Sequence, residues 1–186
     1  MTSKAKPRRR HRALFAAAAV GLAAAVTIAV LASRTISPGT VVVSPLGGKP
    51  APSISGADLR SGQPVSLQAL RGRYVIVTFF ASWCPACQSE IRPLAAFAFE
   101  HRSGVKVTVL GVAISDNAAD AATFLARSGA SWSAVNDPNG SIAVAYGVAD
   151  PPESFVVGPN GRVIAAIPGG VTLAALDTLV PSGSAA

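Results

Sequence analysis

Cysteine and histidine are scarce in this chain of 186 residues, which contains two of each. A structural zinc site takes four ligands, usually cysteine and histidine. His11 precedes a long apolar run, and His101 lies about 24 Å from Cys84 along the helix expected after the cysteines. The composition therefore argues against a zinc site, and we expect no metal and no bound cofactor.

Clustered positive charge is also missing from the body of the chain. The net charge is +7, but six of the sixteen basic residues come before residue 13, which leaves ten basic and nine acidic residues elsewhere. A nucleic-acid-binding domain concentrates lysine and arginine on one folded face. We therefore expect no nucleic-acid partner.

A long uncharged run follows the basic head: residues Ala13–Ala32 read "ALFAAAAVGLAAAVTIAVLA". As a helix this run is about 30 Å long, the thickness of the hydrocarbon core of a bilayer. Basic residues before it predict that the body lies outside the cytoplasm. One interpretation is an uncleaved signal anchor, a single-pass helix in the lipid bilayer of the cell membrane. The other is a signal peptide cleaved near Ala32, which gives a secreted protein.

We prefer the anchor, because the run is longer than the apolar core of a typical signal peptide. Both interpretations export the body to a compartment where disulfides persist.

Three regions follow from the composition: a basic head with the anchor at 1–32, a linker rich in proline and glycine at 33–50, and one domain at 51–186. Within the domain, apolar and β-branched runs predict strands and amphipathic stretches predict helices. The predicted strands are 64–67, 74–82, 105–114, 131–135 and a hairpin over 154–167; the predicted helices are 85–102, 117–129, 141–147 and 171–180. This alternation predicts an α/β fold with a central mixed sheet flanked by helices.

Both cysteines lie in "FFASWCPACQSE", residues 79–90, where a buried strand gives way to a helix. An inert disulfide is one interpretation, but a loop this short stabilises the folded state little. The other is a redox pair, because a helix N-terminus favours a thiolate. Cys84 is then the exposed nucleophile and Cys87 the buried resolving thiol. Pro85 suits the first helical turn, and Trp83 either covers the site or packs in the core.

The stretch "VTFFASWCPAC" resembles the active-site segment of the thioredoxin superfamily. Together with "CQSE", "YGVADPPESFVVGPNGRV" and the N-terminal anchor, it resembles the extracytoplasmic TlpA, ResA and CcmG-type thioredoxins, relatives of the AhpC/TSA redoxins. The resemblance implies a thioredoxin fold. It also implies a cis peptide bond between Pro151 and Pro152, opposite the cysteines, beside which an extended substrate segment pairs with the backbone.

Two acids are candidates for tuning the site: Glu90, which matches an acid common in the resembled family, and Glu153, which follows the expected cis-proline. The alternative for each is a solvated acid at the surface. A carboxylate close to a thiolate raises the pKa of the thiol. Two departures from the family pattern stand out. Thr78 occupies the position of a buried aspartate in cytoplasmic thioredoxin, and Pro93 falls one residue later than usual in the helix, where we expect a kink.

We therefore predict a membrane-anchored thiol–disulfide oxidoreductase whose redox-active group is a Cys84–Cys87 disulfide. The resemblance implies a reducing role, with apocytochrome c as substrate and a membrane thiol–disulfide donor as partner. The alternative is an oxidase that donates its disulfide to exported proteins. A peroxiredoxin and a non-catalytic binding module are weaker alternatives, and the first is disfavoured because "SWCPAC" lacks the usual spacing around a peroxidatic cysteine.

Overall fold

The structure is a computed structural model that describes residues 8–32, 38–101 and 106–181. These residues fall into two compact units that divide after Ile36. The first unit contains helix α1, Arg8–Ala32. Across the described ranges, no helix combines the length and the hydropathy needed to cross a membrane.

The second unit alternates strands and helices in the order that the sequence predicts. Its strands are β1 Ser55–Ala57, β2 Pro64–Ser66, β3 Tyr74–Phe80, β4 Val107–Ile114, β5 Ser133–Asp137, β6 Glu153–Val157 and β7 Val163–Pro168. Its helices are α2 Pro85–Glu100, α3 Ala118–Arg127, α4 Ser141–Tyr146 and α5 Leu173–Leu179, with one 3₁₀ turn at Leu67–Leu70. The predicted helix end at 102 and strand start at 105 lie outside the described residues.

The central sheet has five strands in the order β5-β4-β3-β6-β7. Strands β3, β4 and β5 pair in parallel, whereas β6 pairs antiparallel with β3 and with β7. The predicted α/β class with a mixed sheet is therefore confirmed. The two elements that the sequence analysis missed, β1 and the 3₁₀ turn, lie outside this sheet.

The strands bury both faces, as their continuous apolar runs require. Because side chains alternate along a strand, Ile76 and Phe80 of β3 enter a core with α2, α3 and α5. Val77 and Phe79 enter a second core with α4 and the 3₁₀ turn. Helix α2 begins just beyond the end of β3 and continues through Pro93. The cysteines therefore lie just after the carboxyl end of a central strand that is buried from Val75 to Phe80.

A stretch of the predicted linker packs on the outer strand of this sheet. Val42 forms an isolated bridge with Ala166 on the free side of β7. Pro50 forms another with Arg162, the residue just before β7. Gly39 donates a hydrogen bond to the carbonyl of Gly170 at 2.8 Å. This part of residues 33–50 is therefore bonded to the domain.

Candidate active site

The two cysteines form a disulfide at the first turn of α2, with Cα atoms 5.3 Å apart. Cys84 is the N-cap of the helix, and its sulfur accepts a hydrogen bond from the Cys87 backbone N–H at 3.1 Å. Pro85, at the first helical position, gives up no hydrogen bond there, because that N–H has no partner within the helix. The geometry therefore aims a backbone donor and the positive end of the helix at Cys84 Sγ.

The expected difference in exposure between the cysteines is wrong for the disulfide form. Cys84, which we predicted to be exposed, is only 3% exposed, and Cys87 is 1% exposed. A neighbouring loop covers the sulfur, because the carbonyl oxygen of Pro151 lies 3.7 Å from Cys84 Sγ. The position of Cys84 at the helix start, rather than its exposure, distinguishes it from Cys87.

The covering loop contains the predicted cis peptide bond between Pro151 and Pro152. Its second carbonyl, that of Pro152, accepts a hydrogen bond from the N–H of Gly169 at 2.9 Å. The chain that follows β7 therefore holds this loop through Gly169. Cys84 and the two prolines thus come together as the sequence predicts.

Glu90 is a buried acid on the same helix as the cysteines, with 4% of its surface exposed. Its Oε1 accepts a hydrogen bond from Ser154 Oγ at 2.8 Å and a longer one from Thr78 Oγ1 at 3.5 Å. Burial raises the pKa of Glu90 to about 7, although bonds from Ser154, the Val171 backbone and Thr78 each lower it. The carboxyl group can therefore hold or release a proton near neutral pH.

Thr78 and Ser154 reach Glu90 together because they are direct partners in the pairing of β3 with β6. The sequence analysis identified Thr78 only as the position of a missing aspartate. The structure places it beside the carboxyl group of Glu90, so an acid on α2 occupies the interior next to this strand position. Ser154 was part of the quoted "PPESF" motif, but nothing in the sequence indicated its partner.

Glu153, the second predicted acid, lies on the other side of β6. Side chains alternate along a strand, so Glu153 faces away from the side that holds Ser154 and Glu90. It is half-buried, and burial raises its pKa. Among the described residues, no hydrogen bond joins Glu153 to either cysteine.

Trp83 is exposed immediately before Cys84, so it lies at the surface of the site and not in the core. Its indole Nε1 donates a hydrogen bond to the carbonyl of Ser115 at 3.1 Å. Ser115 has φ +50, an uncommon backbone conformation for a residue with a side chain. The loop after β4 therefore holds the indole beside the cysteines.

Asp116 in the same loop is a further contributor that the sequence analysis missed. Its carboxylate accepts hydrogen bonds from the Ser82 backbone N–H at 2.6 Å and from Ser82 Oγ at 2.9 Å. These bonds fix the chain two residues before Cys84. The signal in the sequence was the position of Asp116 just after a strand parallel to β3, since the ends of such strands meet at one sheet edge.

No group of three or more histidine, cysteine or acidic side chains in the described ranges could hold a metal ion.

Comparison with known proteins identifies the family of this chain. A model of the AhpC/TSA family matches residues 47–166. The thiol:disulfide interchange protein DsbE homolog of Paracoccus denitrificans is 34% identical over 63% of this chain and 63% of its own length. The thiol-disulfide oxidoreductase ResA of Bacillus subtilis is 26% identical over 60% of this chain and 62% of its own. The chain thus spans a little under two thirds of each of these curated relatives.

Solved structures also match this chain. The crystal structure of a DsbF homologue from Corynebacterium diphtheriae matches with a TM-score of 0.66 and 25% identity, over 80% of this chain and 98% of that one. The matches confirm the resemblance to ResA-type proteins and the thioredoxin-like fold that it implied.

Proposed function

Because the chain belongs to the AhpC/TSA family and places a Cys84–Cys87 disulfide at a helix N-terminus, we propose that it is a thiol–disulfide oxidoreductase. The single observation that carries the proposal is the position of Cys84 Sγ. It lies between the N–H of Cys87 and the carbonyl of Pro151. The names of the relatives, thiol:disulfide interchange protein and thiol-disulfide oxidoreductase, support the same activity.

In the reducing direction, the thiolate of Cys84 attacks one sulfur of a substrate disulfide. A mixed disulfide forms, and the other substrate sulfur leaves as a thiolate and takes up a proton. The thiolate of Cys87 then attacks Cys84 Sγ and displaces the first substrate sulfur. The substrate gains two electrons and two protons, and the pair ends as the Cys84–Cys87 disulfide.

Cys84 is the attacking sulfur in this scheme because its thiolate is the better stabilised of the two. The N–H of Cys87 points at Cys84 Sγ, and the helix dipole adds positive potential at the same place. Both effects favour the ionised sulfur and lower the pKa of a thiol at this position.

Glu90 serves the second step. Cys87 is buried and must lose its proton before it can attack, and Glu90 is the buried acid one helical turn further along α2. A carboxyl group with a pKa of about 7 exchanges a proton near neutral pH. We assign Glu90 to the transfer of the Cys87 proton.

The substrate is the disulfide of an exported or membrane protein, presented as an extended segment beside the loop of Pro151 and Pro152. The backbone of this loop lies against Cys84 Sγ, and the exposed indole of Trp83 provides an apolar surface next to the cysteines. The resemblance to ResA and CcmG-type proteins supports apocytochrome c as that substrate, with a membrane thiol donor restoring the reduced pair.

The proposed location is outside the cytoplasm, with the N-terminal segment acting as anchor or export signal. Its support is the sequence: a basic head precedes twenty uncharged residues at 13–32. Protease accessibility of the domain in intact cells tests the location, and separation of membrane and soluble fractions tells an anchor from a cleaved signal.

Trapping of a mixed disulfide tests the proposed activity. Cys87→Ser removes the resolving sulfur, so the full chain should accumulate a covalent complex with a disulfide substrate through Cys84. Cys84→Ser is the matched control and should trap little or none. The reverse pattern, or no complex with either variant, would contradict the assignment.

The reduction potential of the pair then decides the direction. A potential near that of thioredoxin, about −270 mV, supports the reducing role, and a value near that of DsbA, about −120 mV, supports the oxidase.

A further inference from the structure

The N-terminal stretch of the second unit is bonded to the chain that follows β7. We call residues 39–42 the entry segment and residues 169–172 the β7–α5 loop. Gly39 N–H donates to the Gly170 carbonyl at 2.8 Å. Val42 and Ala166 exchange two backbone hydrogen bonds, at 2.9 and 3.3 Å. The entry segment therefore runs from the β7–α5 loop along the outer edge of β7.

The β7–α5 loop supports two parts of the active site. Gly169 N–H donates to the carbonyl of Pro152 at 2.9 Å. The backbone of Val171 lies close enough to the carboxyl group of Glu90 to lower its pKa. Gly169 thus holds the cis-proline loop, Gly170 accepts the bond from Gly39, and Val171 lies beside Glu90.

The contact between the entry segment and the loop is close. Gly39 has φ +79, and a Cβ added to it would lie 2.5 Å from Thr172 Oγ1 and 2.8 Å from Thr172 Cγ2. Thr172 is the N-cap of α5, where its side chain accepts a hydrogen bond from Ala175 N–H. A side chain at position 39 therefore forces Thr172 and the entry segment apart.

We propose that the entry segment is a positioning element of the active site: through Gly39 it holds the β7–α5 loop against Pro152 and Glu90. Gly39 and Thr172 are then positioning residues, since neither touches the cysteines. The inference gives the entry segment a role in the proposed disulfide exchange and so rests on that function.

The titration of Glu90 reports directly on this contact. The backbone of Val171 lowers the pKa of Glu90, so displacing the loop raises it. Besides Glu90, the buried or half-buried titratable groups on α2, its N-cap and β6 are Cys84, Cys87 and Glu153, of which Glu153 faces away from Glu90. The β3 and β6 side chains in contact, Thr78 and Ser154, do not titrate in this range. In the disulfide form the cysteines do not titrate either, so that form gives the cleaner measurement.

The test compares Gly39→Ala with Gly48→Ala in the full chain, held in detergent as the disulfide. Both glycines have positive φ, +79 and +73, so alanine strains the backbone similarly at each. Only at Gly39 does the added Cβ meet Thr172, because nothing lies within 4 Å of a Cβ at Gly48. The carboxyl ¹³C signal of Glu90, identified by its loss in Glu90→Gln, is followed against pH.

We expect Gly39→Ala to raise the titration midpoint of Glu90 by about one pH unit, the size of effect expected for a lost hydrogen bond to a charged group. Gly48→Ala should leave the midpoint at the value of the unaltered chain. Equal midpoints in the two variants would overturn the proposal.

If Gly39→Ala does not fold, Val42→Pro and Val43→Pro decide the question in the same way. Val42→Pro removes the N–H that bonds to Ala166. Val43→Pro is its control, because it makes the same substitution at a neighbouring residue that is 96% exposed. A raised midpoint in Val42→Pro alone supports the proposal, and equal midpoints overturn it. The titration needs no substrate, so it still decides whether the entry segment positions Glu90 even if the chain exchanges no disulfides.

Discussion

At the scale of single residues, the site combines a sulfur stabilised by the backbone with a carboxyl group that burial keeps partly neutral. Cys84 takes its properties from its place at the N-cap of α2. The properties of Glu90 come from its burial, which raises its pKa to about 7. Three hydrogen-bonding groups lower the pKa, but burial outweighs them. The thiolate and the proton acceptor that exchange requires therefore arise from different physical causes.

The raised pKa of Glu90 makes stability depend on pH. Below pH 4.5 the group is protonated in both states. Between pH 4.5 and about pH 7, Glu90 is ionised in the unfolded chain but still protonated in the folded chain. The free energy of unfolding therefore falls as the pH rises through this range. We expect the free energy of unfolding to fall by about 3 kcal/mol more over this range in the unaltered chain than in Glu90→Gln.

Urea unfolding of the disulfide form between pH 4 and 8 measures this difference. Glu100→Gln makes the same substitution at an exposed position of the same helix and is the matched control for the loss of a carboxyl group. A parallel pH dependence in Glu90→Gln and the unaltered chain would show that Glu90 ionises as an ordinary surface acid.

The residues of the site differ in how far the sequence predicts them. Cys84, Cys87, Pro151 and Pro152 occupy short motifs with fixed spacing, so their positions could be predicted. The burial of Cys84 could not, because the cover comes from a carbonyl 67 residues away in sequence. The position of Asp116 after a strand parallel to β3 was a signal for it, but its partner Ser82, 34 residues away, could not be identified from the sequence.

At the scale of elements, strand register brings the hydroxyl groups to Glu90. Strands β3 and β6 are distant in sequence, but their antiparallel pairing sets Thr78 opposite Ser154. Directly opposed residues share one face of the sheet, and α2 covers that face with Glu90. The environment of the acid is thus a consequence of which residues the two strands pair.

The two hydroxyl groups should contribute unequally to the ionisation of Glu90. Ser154→Ala removes the 2.8 Å bond, whereas Thr78→Val removes the 3.5 Å bond and keeps the shape of the side chain. Each loss should raise the pKa of Glu90, by about one unit for Ser154→Ala and by less for Thr78→Val. The ¹³C titration of Glu90 measures both shifts. A larger shift in Thr78→Val than in Ser154→Ala would contradict this order of the two contacts.

The main elements could be predicted because their patterns are strong. Strands β3 and β4 are continuous apolar runs, and α3 has a polar N-cap and an apolar stripe, so local sequence alone identifies them. Strand β1, "SGA", has three exposed residues and no β-branched side chain, and only its pairing with β2 makes it a strand. The 3₁₀ turn after β2 was missed because Leu67 alone of its four residues is buried.

At the scale of the whole molecule, the change of composition near residue 51 is a poor guide to where the compact domain begins. Proline and glycine between residues 38 and 50 are typical of a linker, yet backbone hydrogen bonds tie this stretch to β7 and to the β7–α5 loop. The stretch also covers the outer edge of the sheet, since β7 pairs with β6 on one side only. An exposed sheet edge promotes association with other chains, so this cover matters for solubility as well as for stability.

The compact unit should therefore be defined by these bonds and not by composition. We expect a chain that begins at residue 37 to unfold cooperatively. A chain that begins at Ala51 loses five backbone hydrogen bonds, those joining residues 39, 42, 48 and 49 to residues 163, 166 and 170. At about 1 kcal/mol for each bond, the shorter chain should be less stable by roughly 2–5 kcal/mol. Urea unfolding gives the free energies, and light scattering should show the shorter chain associating at lower concentration through the uncovered β7. Equal stability of the two chains would mean that residues 38–50 lie on the sheet edge without stabilising it.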